Sequence, residues 1–111
     1  EGKLEPFLPS MGFVKIAFTH GFHLLSKRTP YLEGMTKMLA GGGDTDTNAC
    51  IVGGLLGAAH GLSSIPAEMV EKVAACDTKA KLTRQRPKWL QPTRDIFDQV
   101  AQLCASAPAS V

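Results

Sequence analysis

Oxygen-bearing side chains cluster after a run of three glycines, in the stretch GGGDTDTN at residues 41–48. If Asp44 caps the N-terminus of a helix, Thr47 lies three residues later over the same edge of the first turn, and Asp46 lies in that turn as well. Asp44, Asp46 and Thr47 could therefore direct oxygens at one shared point, which suits hard cations such as Mg²⁺ and Ca²⁺. The same residue types also cap helices without any ligand, so spacing alone leaves both interpretations open.

Three familiar ligand-binding loops are excluded by the same residues. A calcium-binding EF-hand loop counted from Asp44 would need glycine at its sixth position and a carboxylate at its twelfth, where this chain has Ala49 and Leu55. A phosphate-binding loop needs Gly-Lys-Ser/Thr, but Gly43 is followed by Asp44. A dinucleotide-binding fingerprint would need a preceding strand and different glycine spacing. The remaining explanation is a carboxylate–hydroxyl cluster at a helix N-terminus.

The segment behind this cluster, residues 49–59, is apolar around its whole circumference, which predicts a central, enclosed helix. On this interpretation Cys50 is a small buried hydrophobe. A rigid, buried helix would hold an acidic first turn still, as a precise site requires. Close approach by neighbouring helices is expected along two seams of small residues at four-residue spacing, Gly53 with Gly57 and Gly54 with Ala58.

Apolar periodicity predicts an all-α fold, an orthogonal multi-helix bundle of about five helices. Residues 77–92 are expected to form a solvated, extended connection. The helices are predicted over residues 11–26, from Thr29-Pro30 to Gly41, from Asp44 or Asp46 to His60, from Pro66 onward, and from Pro92-Thr93 onward. The last helix is expected to face inward with Ile96, Phe97, Val100, Ala101 and Leu103.

Charge, cysteine count and hydropathy restrict the classes of function. The formal net charge of +2 points to no particular partner. Basic residues between positions 79 and 88 are better explained as a solvated connection than as a nucleic-acid patch, because only Trp89 could stack on a base. No apolar stretch reaches the roughly 18 residues that span a membrane. Three cysteines, an odd number, argue against a disulfide framework and favour a reducing compartment, the cytoplasm.

The histidines offer weaker candidates. His20 and His23 lie three residues apart on the first predicted helix, as a pair of metal ligands would. No third ligand is indicated, so packing in the core or at its edge is the favoured interpretation. His60, near the C-terminus of the third helix, suits the helix dipole and is expected to do no more.

The stretch GGDTDTNACIVGGLLGAAHG, followed by Ser64-Ile65-Pro66, resembles the signature of the ADP-ribosylglycohydrolase family. These are all-α, metal-dependent enzymes that remove ADP-ribose from proteins. Carried over by position, Asp44, Asp46 and Thr47 match the family's C-terminal metal ligands, which help to hold two Mg²⁺ ions, or Mn²⁺ in some members. The resemblance implies that the substrate carries ADP-ribose on a protein side chain or a small acceptor, and that the glycosidic bond is hydrolysed.

The family's other metal ligands, a Glu and a Thr-Asp-Asp type cluster, come from its N-terminal half, and this sequence contains no such cluster. The resemblance therefore implies that residues 1–111 form a single region, the C-terminal portion of a larger all-α domain, and that the isolated chain is inactive. No catalytic residue is assigned.

Partners follow from the same resemblance and from the apolar helix faces. The Phe-rich first helix and the exposed seam of the third carry more apolar surface than five short helices cover, so the chain is expected to associate with the missing N-terminal half or with itself. The alternative is a non-catalytic helical module kept for packing or partner association. Neither nucleic acid nor a membrane is expected as a partner.

Overall fold

The computed structural model describes residues 3–76, 87, 89 and 95–106, and these residues contain five α-helices and no strand. The all-α prediction is therefore confirmed for the described part of the chain. The chain divides into two compact units, Glu1–Pro66 and Ala67–Val111. The helices are α1 (Val14–Ser26), α2 (Tyr31–Ala40), α3 (Thr45–His60), α4 (Ala67–Ala74) and α5 (Asp95–Ser106), with a short 3-10 helix at Leu62–Ser64.

Helix α3 is the centre of the first unit and packs against both α1 and α2. Its face formed by Ala49, Val52 and Leu56 meets Leu24 of α1 and Met38 of α2 in one apolar cluster. Val52, Leu56 and Met38 have no exposed surface. Burial of each such side chain contributes roughly 1.5–3 kcal/mol, so this face fixes α3 and the turn that precedes it.

Small residues on α3 allow close approach by α2. A Cβ atom on Gly53 would lie 3.0 Å from the Sδ atom of Met35, which is tighter than ordinary contact. The Gly53–Gly57 seam is thus confirmed as a packing surface. The Gly54–Ala58 seam is exposed instead, and a Cβ atom on Gly54 would meet nothing within 4 Å.

The prediction that α3 is enclosed on every side is wrong. Ile51 is 43% exposed, and Cys50 is exposed rather than a buried hydrophobe. The main neighbours of α3 are α1 and α2, and two helices cover only part of the circumference of a third. An apolar helix in this chain therefore keeps one uncovered face.

The helix termini differ slightly from the predicted ones. Helix α1 begins at Val14 rather than near Met11, and α2 begins at Tyr31, with Pro30 instead of Thr29 at the N-cap position. No side chain caps either helix. Thr29 is instead 6% exposed and donates its backbone N–H to the carbonyl of Leu24 at 3.0 Å, which closes the turn after α1.

The second unit contains α4 and α5, and the inward orientation predicted for α5 is wrong. In α4, Met69 and Val70 are half-buried, whereas Val73 is 62% exposed. The apolar periodicity correctly predicts an apolar face on α5. It does not predict whether another element packs on that face. All the side chains of α5 predicted to face inward are exposed: Ile96, Phe97, Val100, Ala101 and Leu103. No helix among the described residues is long and apolar enough to cross a bilayer.

Candidate metal centre

The acidic turn, residues 44–47, is preceded by a glycine turn that only glycine accommodates well. Helix α2 ends at Ala40, and the backbone then takes positive φ at Gly42 (φ 77°) and Gly43 (φ 71°). A Cβ atom on Gly43 would lie 2.8 Å from the carbonyl oxygen of Phe7, whereas one on Gly42 would meet nothing within 4 Å. The segment before α1 therefore packs directly on this turn and restricts where α3 begins.

Asp44 occupies the N-cap position of α3, the first of the two starts that the sequence left open, and its backbone carbonyl accepts the N–H of Asn48 at 3.0 Å. Its side chain makes no capping hydrogen bond. A Cβ atom on Gly12 would lie 3.8 Å from Oδ2 of Asp44, so the carboxylate lies beside the residues that lead into α1. The half-buried carboxylate is thus not used for capping, the role that the simpler interpretation gave it.

The surroundings of Asp46 favour its ionised form. A hydrogen bond with the Asp44 carboxyl lowers the pKa of Asp46 from its ordinary value of 3.8, and the backbone N–H groups of Thr47 and of Asp46 itself lower it further. Each of these contacts favours the ionised carboxylate. Asp46 is exposed and carries negative charge at neutral pH, close to the positive end of the α3 dipole.

The fold brings the predicted ligands Asp44, Asp46 and Thr47 onto one helical turn, with Thr47 exposed beside Asp46. That their oxygens converge on one cation stays a prediction. Two carboxylates and a hydroxyl suit Mg²⁺ in kind, but they cannot fill a shell of about six oxygens. Within the described ranges, no group of three or more His, Cys, Asp or Glu side chains is placed to hold a metal ion.

Asn48 was missed as a functional candidate by sequence reasoning. It is 4% exposed, and its side-chain Nδ2 has no hydrogen-bond partner among the described residues. An unsatisfied buried donor costs about 1–3 kcal/mol, which is large for a small domain. The sequence feature that could have identified Asn48 is its position, as a polar residue between the acidic turn and the apolar segment that follows. Asn48 therefore places an unpartnered, buried donor directly after the acidic turn.

The histidines have structural contacts. His20 donates from Nε2 to the carbonyl of Glu5 at 2.8 Å and stacks on Phe7, with ring centroids 4.4 Å apart, in agreement with a packing role. His60 does more than the sequence indicated. Its Nε2 donates to the carbonyl of Thr29 at 2.9 Å and so joins the end of α3 to the α1–α2 turn. The basic stretch at residues 79–88 lies outside the described residues except for Pro87.

Comparison with known proteins defines the class. A model of the ADP-ribosylglycohydrolase family matches residues 3–107, and the chain therefore belongs to this family. A protein of Acanthamoeba polyphaga mimivirus, whose name provisionally describes it as an ADP-ribosyl glycohydrolase, is 36% identical over 67 residues, which are 60% of this chain and 20% of that protein. The chain thus spans about one fifth of the length of this curated relative. No solved structure gave a significant match.

Proposed function

We propose that this chain is part of a Mg²⁺-dependent ADP-ribosylglycohydrolase-like hydrolase and that Asp44, Asp46 and Thr47 are metal ligands in it. The observation that supports this most directly is the placement of two carboxyls, Asp44 and Asp46, at the first turn of α3, where the Asp44 side chain makes no capping hydrogen bond. Like charges repel, so a pair of neighbouring carboxylates is best stabilised by a cation between them. Two Mg²⁺ ions would occupy the complete site, and Mn²⁺ could replace them.

The reaction proposed is hydrolysis of the glycosidic bond between ADP-ribose and a protein side chain or small acceptor. Mg²⁺, when bound, supplies polarisation and orientation of the sugar oxygens. The carboxylates of Asp44 and Asp46 would hold the metal in place. They would also add negative charge near the anomeric carbon, where positive charge develops as the bond to the leaving group breaks. Burial of the apolar face of α3 holds these carboxylates still.

The remaining ligands are proposed to come from residues outside this chain. Three oxygen donors leave much of the coordination of two metals unfilled, and this chain spans about one fifth of its curated relative. The isolated chain is therefore expected to bind metal weakly, in about the millimolar range, and not to turn over substrate.

The three free, exposed cysteines are consistent with a reducing compartment, and we propose that the protein is located in the cytoplasm.

A titration of the ¹⁵N-labelled chain with Mn²⁺ tests the metal site. We expect paramagnetic broadening of the amide signals of residues 44–48, reversed by excess Mg²⁺, because both ions prefer the same oxygen donors. The non-catalytic alternative predicts no reversible broadening at this turn. Broadening confined to the surroundings of His20, His23 or His60 would also contradict the proposal.

An uncovered apolar surface on α1 and α3 supports the incompleteness of this unit. Val14, Phe18 and Phe22 follow one another at four-residue spacing on α1 and are 70%, 59% and 52% exposed. The rings of Phe18 and Phe22 contact each other with centroids 4.7 Å apart. Gly21, the residue before Phe22, is buried against α3, and a Cβ atom on it would lie 2.9 Å from Leu55, so α1 packs closely on α3 next to this strip. We propose that the rest of the hydrolase fold covers this surface, since the chain matches only a part of its relative.

Without that cover, the isolated chain is expected to self-associate through the same strip. Light scattering at increasing concentration should show a rising mean mass, and replacing both Phe18 and Phe22 with Ser should return it to the monomer. Replacing Leu39 with Ser provides the control, because Leu39 is similarly exposed (53%) but lies on α2. A monodisperse monomer at all concentrations, or an equal effect of the Leu39 variant, would contradict the assignment of this surface.

A further inference from the structure

Residues 5–12 form a strap that connects the middle of α1 to the acidic turn. The strap precedes α1 in the chain, and its first residue is tied back to that helix by two hydrogen bonds. The backbone N–H of Glu5 donates to the hydroxyl of Thr19 at 3.2 Å, and the Glu5 carbonyl accepts from Nε2 of His20 at 2.8 Å. Two neighbouring side chains of α1 therefore fix the start of the strap.

His20 contacts the strap at two positions. A carbonyl oxygen can only accept, so Nε2 of His20 carries the hydrogen of the bond to Glu5. The same ring contacts Phe7, with ring centroids 4.4 Å apart and an angle of 35° between the ring planes. The half-buried His20 side chain thus holds residues 5 and 7 by two different interactions.

The other side of the strap packs on the glycine turn and beside the acidic turn. The Phe7 ring occupies the space that a Cβ atom on Gly41 would need, and its carbonyl oxygen lies 2.8 Å from the position of a Cβ atom on Gly43. A Cβ atom on Gly12 would lie 3.8 Å from Oδ2 of Asp44. The strap therefore extends from His20 to the residues that lead into α3.

The acidic turn has few restraints of its own. No side chain caps α3, and the first turn of an uncapped helix frays readily. Glycines at positions 41–43 permit many backbone conformations just before this turn. Asp46 and Thr47 are exposed, so their side chains add little packing. Contact with the strap is thus the restraint that acts from outside α3.

We propose that His20 is a positioning residue for the acidic turn and acts through the strap. Its ring holds Glu5 and Phe7 on α1, and the strap in turn keeps Gly43 and Asp44 in place. The consequence for metal binding rests on the metal site proposed above, whereas the restraint itself does not.

Hydrogen exchange at the backbone N–H of Asn48 measures this restraint without metal, because that group donates to the Asp44 carbonyl at 3.0 Å. His20→Phe keeps an aromatic ring but removes the hydrogen bond to Glu5. We expect exchange at Asn48 to become about fivefold faster, as the loss of one hydrogen bond implies. Thr19→Val, which removes the acceptor of the other strap bond, should act in the same direction.

His60→Phe is the matched control. His60 also donates from Nε2 to a backbone carbonyl, that of Thr29 at 2.9 Å, but it lies at the opposite end of α3. Both histidine variants should lower the melting temperature, whereas only His20→Phe should speed exchange at Asn48. Equal exchange at Asn48 in the two variants would overturn the proposal, because a loss of overall stability alone would then explain the effect.

A Mn²⁺ titration of the same variants separates this proposal from that of the metal site. If the unaltered chain shows no broadening of residues 44–48, the metal site is wrong, and exchange at Asn48 still decides the role of His20. If it does show broadening, His20→Phe should weaken Mn²⁺ binding at least about threefold relative to His60→Phe. Equal affinities in these two variants would show that His20 does not position the metal ligands.

Discussion

Replacement of Asp46 with Asn is expected to remove Mn²⁺ and Mg²⁺ binding from the acidic turn, with a loss of affinity of at least about tenfold. The amide has nearly the same shape as the carboxylate but carries no negative charge, so the change isolates the electrostatic contribution. Asp46 is exposed, and the substitution should leave the fold intact. The Mn²⁺ broadening of residues 44–48 measures the effect in the isolated chain, and hydrolysis measures it in a complete enzyme that contains this chain.

Asp95→Asn is the matched control for this prediction. Asp95 is also an exposed carboxylate in the first turn of a helix, α5, so its replacement removes the same charge from an equivalent helix position. If metal affinity fell equally in both variants, the effect would come from net charge and not from ligation. The lowered pKa of Asp46 keeps its carboxylate ionised at neutral pH, so protons do not compete with a metal ion for this proposed ligand.

The start of α3 was predictable because its signals are local. A glycine run, an Asp at the N-cap and a terminal Gly61 determine where this helix begins and ends, and the structure agrees at both positions. The grouping of Asp44, Asp46 and Thr47 on one turn follows from the same local spacing. Hydrogen bonds and helical periodicity act over a few residues, and a single sequence contains that information.

The features that were missed depend on contacts between distant residues. Exposure of Cys50 follows from which helices cover α3, and the hydrogen bond from His60 to Thr29 joins positions 31 residues apart. The buried, unpartnered amide of Asn48 is likewise visible only once α3 is packed. The spacing of Asp44, Asp46 and Thr47 permitted the hypothesis of metal ligation, and the family resemblance strengthened it. The structure adds that the Asp44 side chain is not used for capping, which the sequence could not reveal.

A comparison of Gly43→Ala with Gly42→Ala should show how the acidic turn is held in place. Both residues have positive φ, so alanine introduces a backbone strain of about 1–2 kcal/mol at either position. Both substitutions also reduce the entropy of the unfolded chain to the same extent. At Gly43 alone, the added Cβ would lie 2.8 Å from the Phe7 carbonyl oxygen, a backbone atom that cannot rotate away. Overpacking there should cost a further ~1–3 kcal/mol.

Thermal unfolding should therefore show a melting temperature lower in the Gly43 variant than in the Gly42 variant by at least about 4 °C. The Gly43 variant should also bind Mn²⁺ more weakly, because relief of the contact with Phe7 displaces the residue that immediately precedes Asp44. Equal melting temperatures would mean that the segment before α1 does not restrain the turn. The two melting temperatures together show whether α3 alone positions the acidic turn or whether Phe7, more than thirty positions earlier in the chain, also restrains it.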